Sequence, residues 1–396
     1  MSIPVSGSKR IAAVLGAMSP FLNFFQDPVV TSRMGNPGVS DFVAGNPQEM
    51  PLPEFTEALQ RWSTPHDKDW FAYKMSEPGP RRIVAETLRQ RFDMPFDADD
   101  IFMTNGAFAA IAVALGAITD PGDEIIYISP PWFFYEAMIA SSMGTPVRVQ
   151  CDPVSFDLDL AAIEAAITPR TRAIIVNSPN NPTGRIYPPA TLTALSDLLT
   201  AASQRNGRTI YLLSDESYNR IVYDGREFTT PTAYYDQSFL LYTYGKTLLT
   251  PGQRIGYIAL PPSMPAREAM RPAILASQVV TAYAFPNALL QHALPDLEKL
   301  SIDIEHLQAK RDRLVSALRD MGYELRSPEG TFYLLVRSPL ADDVAFCHWL
   351  AERDVLVLPG ATFEMPGYFR ISITASDAMI DRALPGFAAA LSHFKE

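Results

Sequence analysis

The sequence predicts an α/β protein in two units: a large one built on a mostly parallel sheet covered by helices, and a smaller α+β one. Three observations lead there. Between residues 101 and 260, short apolar and β-branched runs alternate with stretches of helical period, the signature of βα units feeding a parallel sheet. From about Pro295 the texture changes to a long polar helix followed by short strands and a closing helix. The chain, at 396 residues, is also too long for one ordinary core.

In order, Ser40 to Ala44 reads as a short strand ending in the turn Gly45-Asn46-Pro47. Pro53 to Trp62 reads as a helix, His66 to Met75 as a polar and aromatic loop, and Pro80 to Phe92 as a helix with apolar spacing at Ile83, Leu88 and Phe92. Strands follow at Ile101–Thr104, Glu124–Ser129, Pro146–Gln150, Arg172–Asn177, Thr209–Ser214, Phe239–Thr243 and Ile255–Leu260. Helices are expected at Ala107–Ile118, near Phe134–Met143 and near Ala190–Ala202. Right-handed crossovers would wind these roughly seven strands into one open sheet. Beyond it, a helix over Ser301–Asp320 precedes strands at Tyr323–Ser327, Thr331–Val336, Val355–Leu358 and Phe369–Ile373, then a helix over Ala378–Phe394. The large unit is thus expected over 45–294. The small unit would comprise 1–44 and 295–396, because residues 1–44 hold too little for a core of their own.

Composition excludes several functions. A net charge of -11 leaves no basic footprint for nucleic acid or for an anionic membrane. Cys151 and Cys347 make neither a disulfide framework nor a metal cluster, and buried thiols in a reducing compartment are the simpler reading. The apolar run after Lys9 and Arg10 is short for a signal peptide, and no stretch is long enough to span a bilayer. A cytoplasmic protein is expected.

Ligands of open α/β sheets sit beyond the carboxyl ends of the strands. After Ile101–Thr104 come Asn105, Gly106, Ala107 and Phe108, a helix start whose bare amides suit an anion, although most such glycines serve a plain turn. After Glu124–Ser129 comes Pro130-Pro131-Trp132, where Trp132 could stack on a flat ring and Phe133 and Phe134 fit a core cluster. Asn181 follows the fourth strand, held rigid by Pro182. Asp215 ends the fifth and is costly there unless it meets a cation or caps a helix. Tyr218 lies on the turn after it. Lys246 follows Thr243 at the end of the sixth, where desolvation favours the neutral, nucleophilic amine, and Arg254 could hold a phosphate by its fork. Each feature has an ordinary structural reading; together they point to one site.

These residues carry a resemblance. The chain resembles the fold-type I pyridoxal-phosphate enzymes of the class I/II aminotransferase family, of the aspartate aminotransferase kind. The shared segments are GNP at Gly45, TNGA at Thr104, P-x-W-x-x-Y from Pro130 to Tyr135, SPNNPTG at Ser178, SDESY at Ser214, YGKTLLTPGQRIGY at Tyr244, PEGTFY at Pro328, and PG and YFRIS at Pro359 and Tyr368. The resemblance implies pyridoxal 5′-phosphate held by Lys246 as an internal aldimine, with Lys246 moving the substrate α-proton. It implies that Asp215 keeps the pyridine nitrogen protonated, that Asn181 and Tyr218 bond the phenolic oxygen, and that Trp132 stacks on the ring. Arg254, Thr243 and the turn Gly106-Ala107-Phe108 would cradle the phosphate. Arg370, with the Gly45 backbone and Asn181, would clamp the substrate carboxylate. Tyr73 would reach the phosphate across the interface of a homodimer. Cis peptides are implied before Pro130 and Pro182. Two positions depart from the pattern: Gly245 stands where serine is frequent, and Phe108 where a polar residue is frequent.

Transfer of an amino group from an L-amino acid to a 2-oxo acid is the first reading. A lyase, decarboxylase or oxidase reaction on the same site is the alternative. A regulator of this fold would need an added DNA-binding domain, and a nicotinamide dehydrogenase would need a G-x-G-x-x-G after the first strand. The stretch Ser277–Asn287 holds no arginine, so the substrate pocket there is expected to be apolar and suited to neutral or aromatic side chains. Lys68, Lys74 and His66 could meet an acidic group, but solvated surface charge is the first reading for them.

Overall fold

The computed structural model describes residues 7–395, so the boundaries drawn above run past it by residues 1–6 and 396. All seven expected strands form one sheet. We number them β1 (Ile101–Thr104), β2 (Glu124–Ser129), β3 (Thr145–Gln150), β4 (Thr171–Asn177), β5 (Tyr211–Asp215), β6 (Ser238–Thr243) and β7 (Gly256–Ala259). Their order is β1-β7-β6-β5-β4-β2-β3. β7 runs antiparallel to both neighbours, and the remaining pairs are parallel. The 244–255 link is too short for a crossover with its own covering helix, so β7 returns beside β6 as a hairpin partner.

Every residue of β2 and β6 is buried, as expected of strands covered on both faces. The edge strand β3 is largely exposed and carries Pro146, whose missing N–H an edge tolerates. The Gly106–Ile118 helix is apolar almost all round because it lies between the sheet and the Arg267–Val280 helix. Gly116 permits that close approach: a Cβ there would stand 2.6 Å from Ser277 Oγ.

The smaller unit has an antiparallel sheet of Leu358–Pro359, Tyr368–Ser372 and Tyr333–Arg337. Phe332, Phe346, Phe369 and Phe387 pack its core against the helices Ile304–Met321, Asp343–Ala351 and Asp377–Lys395. Tyr323–Ser327, expected as a strand, contributes only the single bridge Leu325–Val336. Ser40–Asp41 joins this unit by pairing with Val355–Leu356.

Several helices have no counterpart in the sequence reading, among them Arg267–Val280, Ala288–Leu297, Asp343–Ala351 and one in residues 1–44, where little periodicity is visible. Lys9–Gln26 is a helix, N-capped by Ser8, whose side chain accepts from the Ile11 amide. It lies on the Tyr135–Ser141 helix of the large unit. Phe21 stacks on Phe133, with centroids 4.8 Å apart, and touches Phe134 at 5.1 Å.

Candidate active site

The strand ends converge on one pocket. β6 ends at Thr243, whose hydroxyl caps the short helix Tyr244–Thr247 by accepting from the Gly245 amide. That turn aims Lys246 into the pocket, its Nζ 5.6 Å from the Tyr218 ring centroid and 5.8 Å from that of Phe332. Lys246 makes no ion pair among the described residues.

Asp215 faces it from the end of β5, buried to 4% exposure. Its Oδ2 accepts from the Tyr135 hydroxyl at 2.6 Å, and its Oδ1 from the Ser217 hydroxyl at 2.6 Å and the Ser217 amide at 3.1 Å. Burial pushes this carboxyl above its usual range, and the Ser217 and Tyr135 hydroxyls pull it partly back. A cation brought into the pocket would hold it ionised. Tyr135 appeared in the sequence only as a motif letter; nothing in its surroundings there marks a hydroxyl that will meet a carboxylate on another strand.

The opposite wall is formed by Arg254, Thr243 and the start of the Gly106–Ile118 helix. Thr104 and Thr243 both pair with Gly256, which brings the ends of β1 and β6 beside the start of β7. Only glycine fits at that junction, where a Cβ would lie 2.2 Å from the Tyr242 carbonyl oxygen and 2.9 Å from Gly106 Cα. Gly106 has φ +78, and a Cβ on it would stand 2.6 Å from Arg254 Nη2. Arg254 gives one N–H to the Pro251 carbonyl and makes no ion pair among the described residues. Ala107, Phe108 and Trp132 complete the lining, Phe108 standing edge-on to Trp132 at 5.0 Å.

Arg370 is buried at the junction of the two units. It donates to Asn181 Oδ1 and to the Val43 carbonyl, each at 2.9 Å, and its Nε has no partner. Its guanidinium lies over the Tyr333 ring at 3.9 Å. Tyr333 hydrogen-bonds Tyr218, and although burial disfavours its ionisation, the Arg370 and Lys246 cations hold its phenol below the ordinary range. Gly45 sits against this group: a Cβ there would be 2.5 Å from the Tyr333 hydroxyl. Tyr333 had no role in the sequence reading; its signal was its place at the head of a strand just after Gly330.

The structure thus brings together every expected site residue except Tyr73. That side chain is 87% exposed, ring to ring with Phe285 at 4.9 Å and outside the pocket of its own chain. The 277–287 stretch does not line the Lys246 pocket either. Val280, Thr281 and Tyr283 border a neighbouring cleft that shares Phe108 with it. Lys68 and Lys74 pair with Asp69 and Glu77, and His66 packs on Trp70. The peptides before Pro130 and Pro182 are cis, as expected, and so is the one before Pro179.

Next to Asp215, Glu216 is wholly buried, accepting from Ser214, Thr230 and Asn219. Burial pushes its carboxyl up from 4.5 to about 7 despite those hydrogen bonds. Between these values the unfolded chain has lost a proton that the folded chain keeps, so this carboxyl makes stability fall as pH rises through the window. Across it the loss amounts to about 3 kcal/mol. Glu216→Gln should flatten that decline, seen as urea midpoints that differ less between pH 5 and pH 8 than those of the unmodified protein.

Comparison with known proteins agrees with this geometry. Residues 38–387 match the family described as aminotransferase class I and II. The aspartate/prephenate aminotransferase of Thermus thermophilus is 32% identical over 358 residues, covering 88% of this chain and 90% of that protein. The aspartate aminotransferase of Rhizobium meliloti is 31% identical, covering 79% of each. Among solved structures, an amino transferase from Eubacterium rectale superposes with a TM-score of 0.88 at 30% identity, covering 99% of this chain and 97% of that one. The aspartate aminotransferase of Thermotoga maritima gives a TM-score of 0.80 at 26% identity, covering 98% and 100%. With sheet order, strand-end chemistry and relatives in agreement, the chain belongs to the class I and II aminotransferases, pyridoxal 5′-phosphate-dependent transferases of fold type I that act on amino acids and 2-oxo acids.

Proposed function

We propose that Lys246 is the group that binds the cofactor covalently and moves the substrate's α-proton, within a site completed by a second copy of the chain. The observation that carries this is an amine without an ion-pair partner, facing a buried carboxylate across a pocket whose far wall is an un-neutralised arginine beside a helix N-terminus. These residues fit pyridoxal 5′-phosphate. The bare Gly106 and the free fork of Arg254 suit a phosphate, with Thr243 and the Ala107 and Phe108 amides beside them. Asp215 suits a protonated ring nitrogen, Trp132 a flat ring, and Asn181 with Tyr218 a phenolic oxygen.

When bound, the cofactor supplies a carbonyl that condenses with amines and a ring that accepts the electron pair released at the substrate Cα. The chain's own residues do the rest. Lys246 Nζ takes the proton from Cα, a role that requires the neutral amine. Arg370 holds the substrate carboxylate through its unpartnered Nε, with the Gly45 backbone alongside. Phe332 and Tyr218 flank Lys246 and restrict water.

The second copy is argued from the surface. Phe71, Tyr73, Val279, Val280 and Phe285 are all more than half exposed, an apolar face suited to burial in a homodimer. From there Tyr73 would reach the partner's phosphate. Cys151 and Cys347 are buried free thiols, which suits the cytoplasm. No helix among the described residues is long and apolar enough to cross a membrane.

The test is a visible spectrum of the loaded protein with single amino acids and no oxo acid. Transamination converts the lysine-bound cofactor to its amine form. Release of ammonia without that conversion would move the site to lyase chemistry, and release of peroxide to oxidase chemistry. Removing the arginine fork should also show in binding: Arg254→Ala is expected to weaken cofactor affinity by roughly 10- to 100-fold, the loss of charge-assisted hydrogen bonds. Fluorescence titration of the cofactor-free protein measures it.

A further inference from the structure

We propose that the amino donor for this site carries an apolar side chain of aromatic size, seated on the ring array that Phe133 and Phe21 form beside Arg370. This rests on the transferase reading above and adds to it the class of side chain.

The carboxylate end of the donor is fixed first. Two of the five N–H donors of Arg370 are committed to Asn181 Oδ1 and the Val43 carbonyl, leaving the others, the unpartnered Nε among them, for one incoming carboxylate. The centroid of Phe133 is 6.0 Å from the same guanidinium carbon. A side chain leaving the Cα of a donor anchored on Arg370 therefore starts within reach of that ring. Phe133 does not stand alone. Phe21 stacks on it at 4.8 Å and 23°, Phe134 touches both, and Phe108 links Phe134 at 5.4 Å to Trp132 at 5.0 Å on the pocket wall. The array runs unbroken from the carboxylate anchor to the cofactor pocket, and Phe21 of the Lys9–Gln26 helix makes two of these five ring contacts.

Charge points the same way. Among the described residues, the cations lining the pocket are Lys246 and Arg254, both already used. Arg10 borders the neighbouring cleft, whose one shared residue with the pocket is Phe108, and it is exposed. Lys68 and Lys74, on the loop that carries Tyr73, are neutralised by Asp69 and Glu77. A donor with a second carboxylate would bury it against phenyl rings without a counter-ion, which is strongly unfavourable. An apolar side chain there loses only water.

The experiment is isothermal titration of the cofactor-loaded protein with 3-phenylpropionate and with succinate, each offering one carboxylate to Arg370. 3-Phenylpropionate should bind at least ~10-fold more tightly, a difference of the size apolar pockets make. Phe21→Ala and Phe133→Leu should each weaken 3-phenylpropionate and leave succinate unchanged; circular dichroism and retained cofactor absorbance check that both variants fold. Equal or tighter succinate binding, or 3-phenylpropionate binding indifferent to both substitutions, overturns the proposal. If the cofactor spectrum still converts with an amino acid in that case, the transferase reading stands and only the side-chain class falls. A protein that takes up no cofactor and binds neither acid overturns both.

Discussion

Lys246→Arg should lower the rate of amino-group transfer by on the order of 10⁴-fold or more, the scale of a lost general base and nucleophile. Arginine keeps the positive charge and nearly the length of lysine, but it does not deprotonate in proteins. The cradle of Gly106, Thr243 and Arg254 is untouched, so the variant should fold and still bind the cofactor non-covalently. Borohydride reduction followed by mass spectrometry separates the roles. The unmodified protein should carry the cofactor mass on the peptide containing Lys246, and the variant should carry none. Turnover surviving in the variant, or a label on another lysine, would remove Lys246 from its place in the reaction.

Asp215→Asn should follow, with kcat falling by about 10²- to 10³-fold, typical of losing one buried electrostatic stabiliser. Asparagine preserves the shape and can still accept from Ser217 through its one oxygen, but its amide nitrogen cannot accept from Tyr135 and it cannot hold a charge opposite a protonated ring nitrogen. Dialysis should show cofactor lost faster from the variant than from the unmodified protein. Tyr135→Phe is the subtler companion. The Tyr135 hydroxyl pulls down a carboxyl that burial pushes up. Without it Asp215 ionises at higher pH, so the acid limb of the kcat profile should move to higher pH while the alkaline limb stays. A uniform drop with an unmoved acid limb would leave Tyr135 a packing residue.

The sheet was largely legible from the sequence because its strands are buried on both faces and so appear as apolar runs broken by turns. Helix Lys9–Gln26 was not. Phe24 is its one buried side chain and Pro20 lies within it, so it has little periodic contrast to detect. The site residues at strand ends were legible for a topological reason: a parallel sheet places whatever follows each strand on one edge. Tyr135 and Tyr333 escaped assignment because their roles are set by partners far along the chain, Asp215 for one and Arg370 for the other. Within its own chain the 277–287 stretch borders the neighbouring cleft rather than the Lys246 pocket, a placement that composition alone does not give.

The junction at Gly256 has a consequence for how such a site can change. The phosphate-binding end is written into main-chain pairing, Thr104 and Thr243 against one residue that tolerates no side chain. The wall beside Arg370 is written into side chains, one of them, Phe21, on a helix that meets the sheet unit through ring contacts. Inheritance of the reaction and inheritance of its specificity therefore occupy different parts of the molecule. Substitutions at positions such as 21, 133 and 134 can retune which donors are accepted without touching the anchorage, so a laboratory library confined to them would explore new substrates on an unaltered catalytic frame.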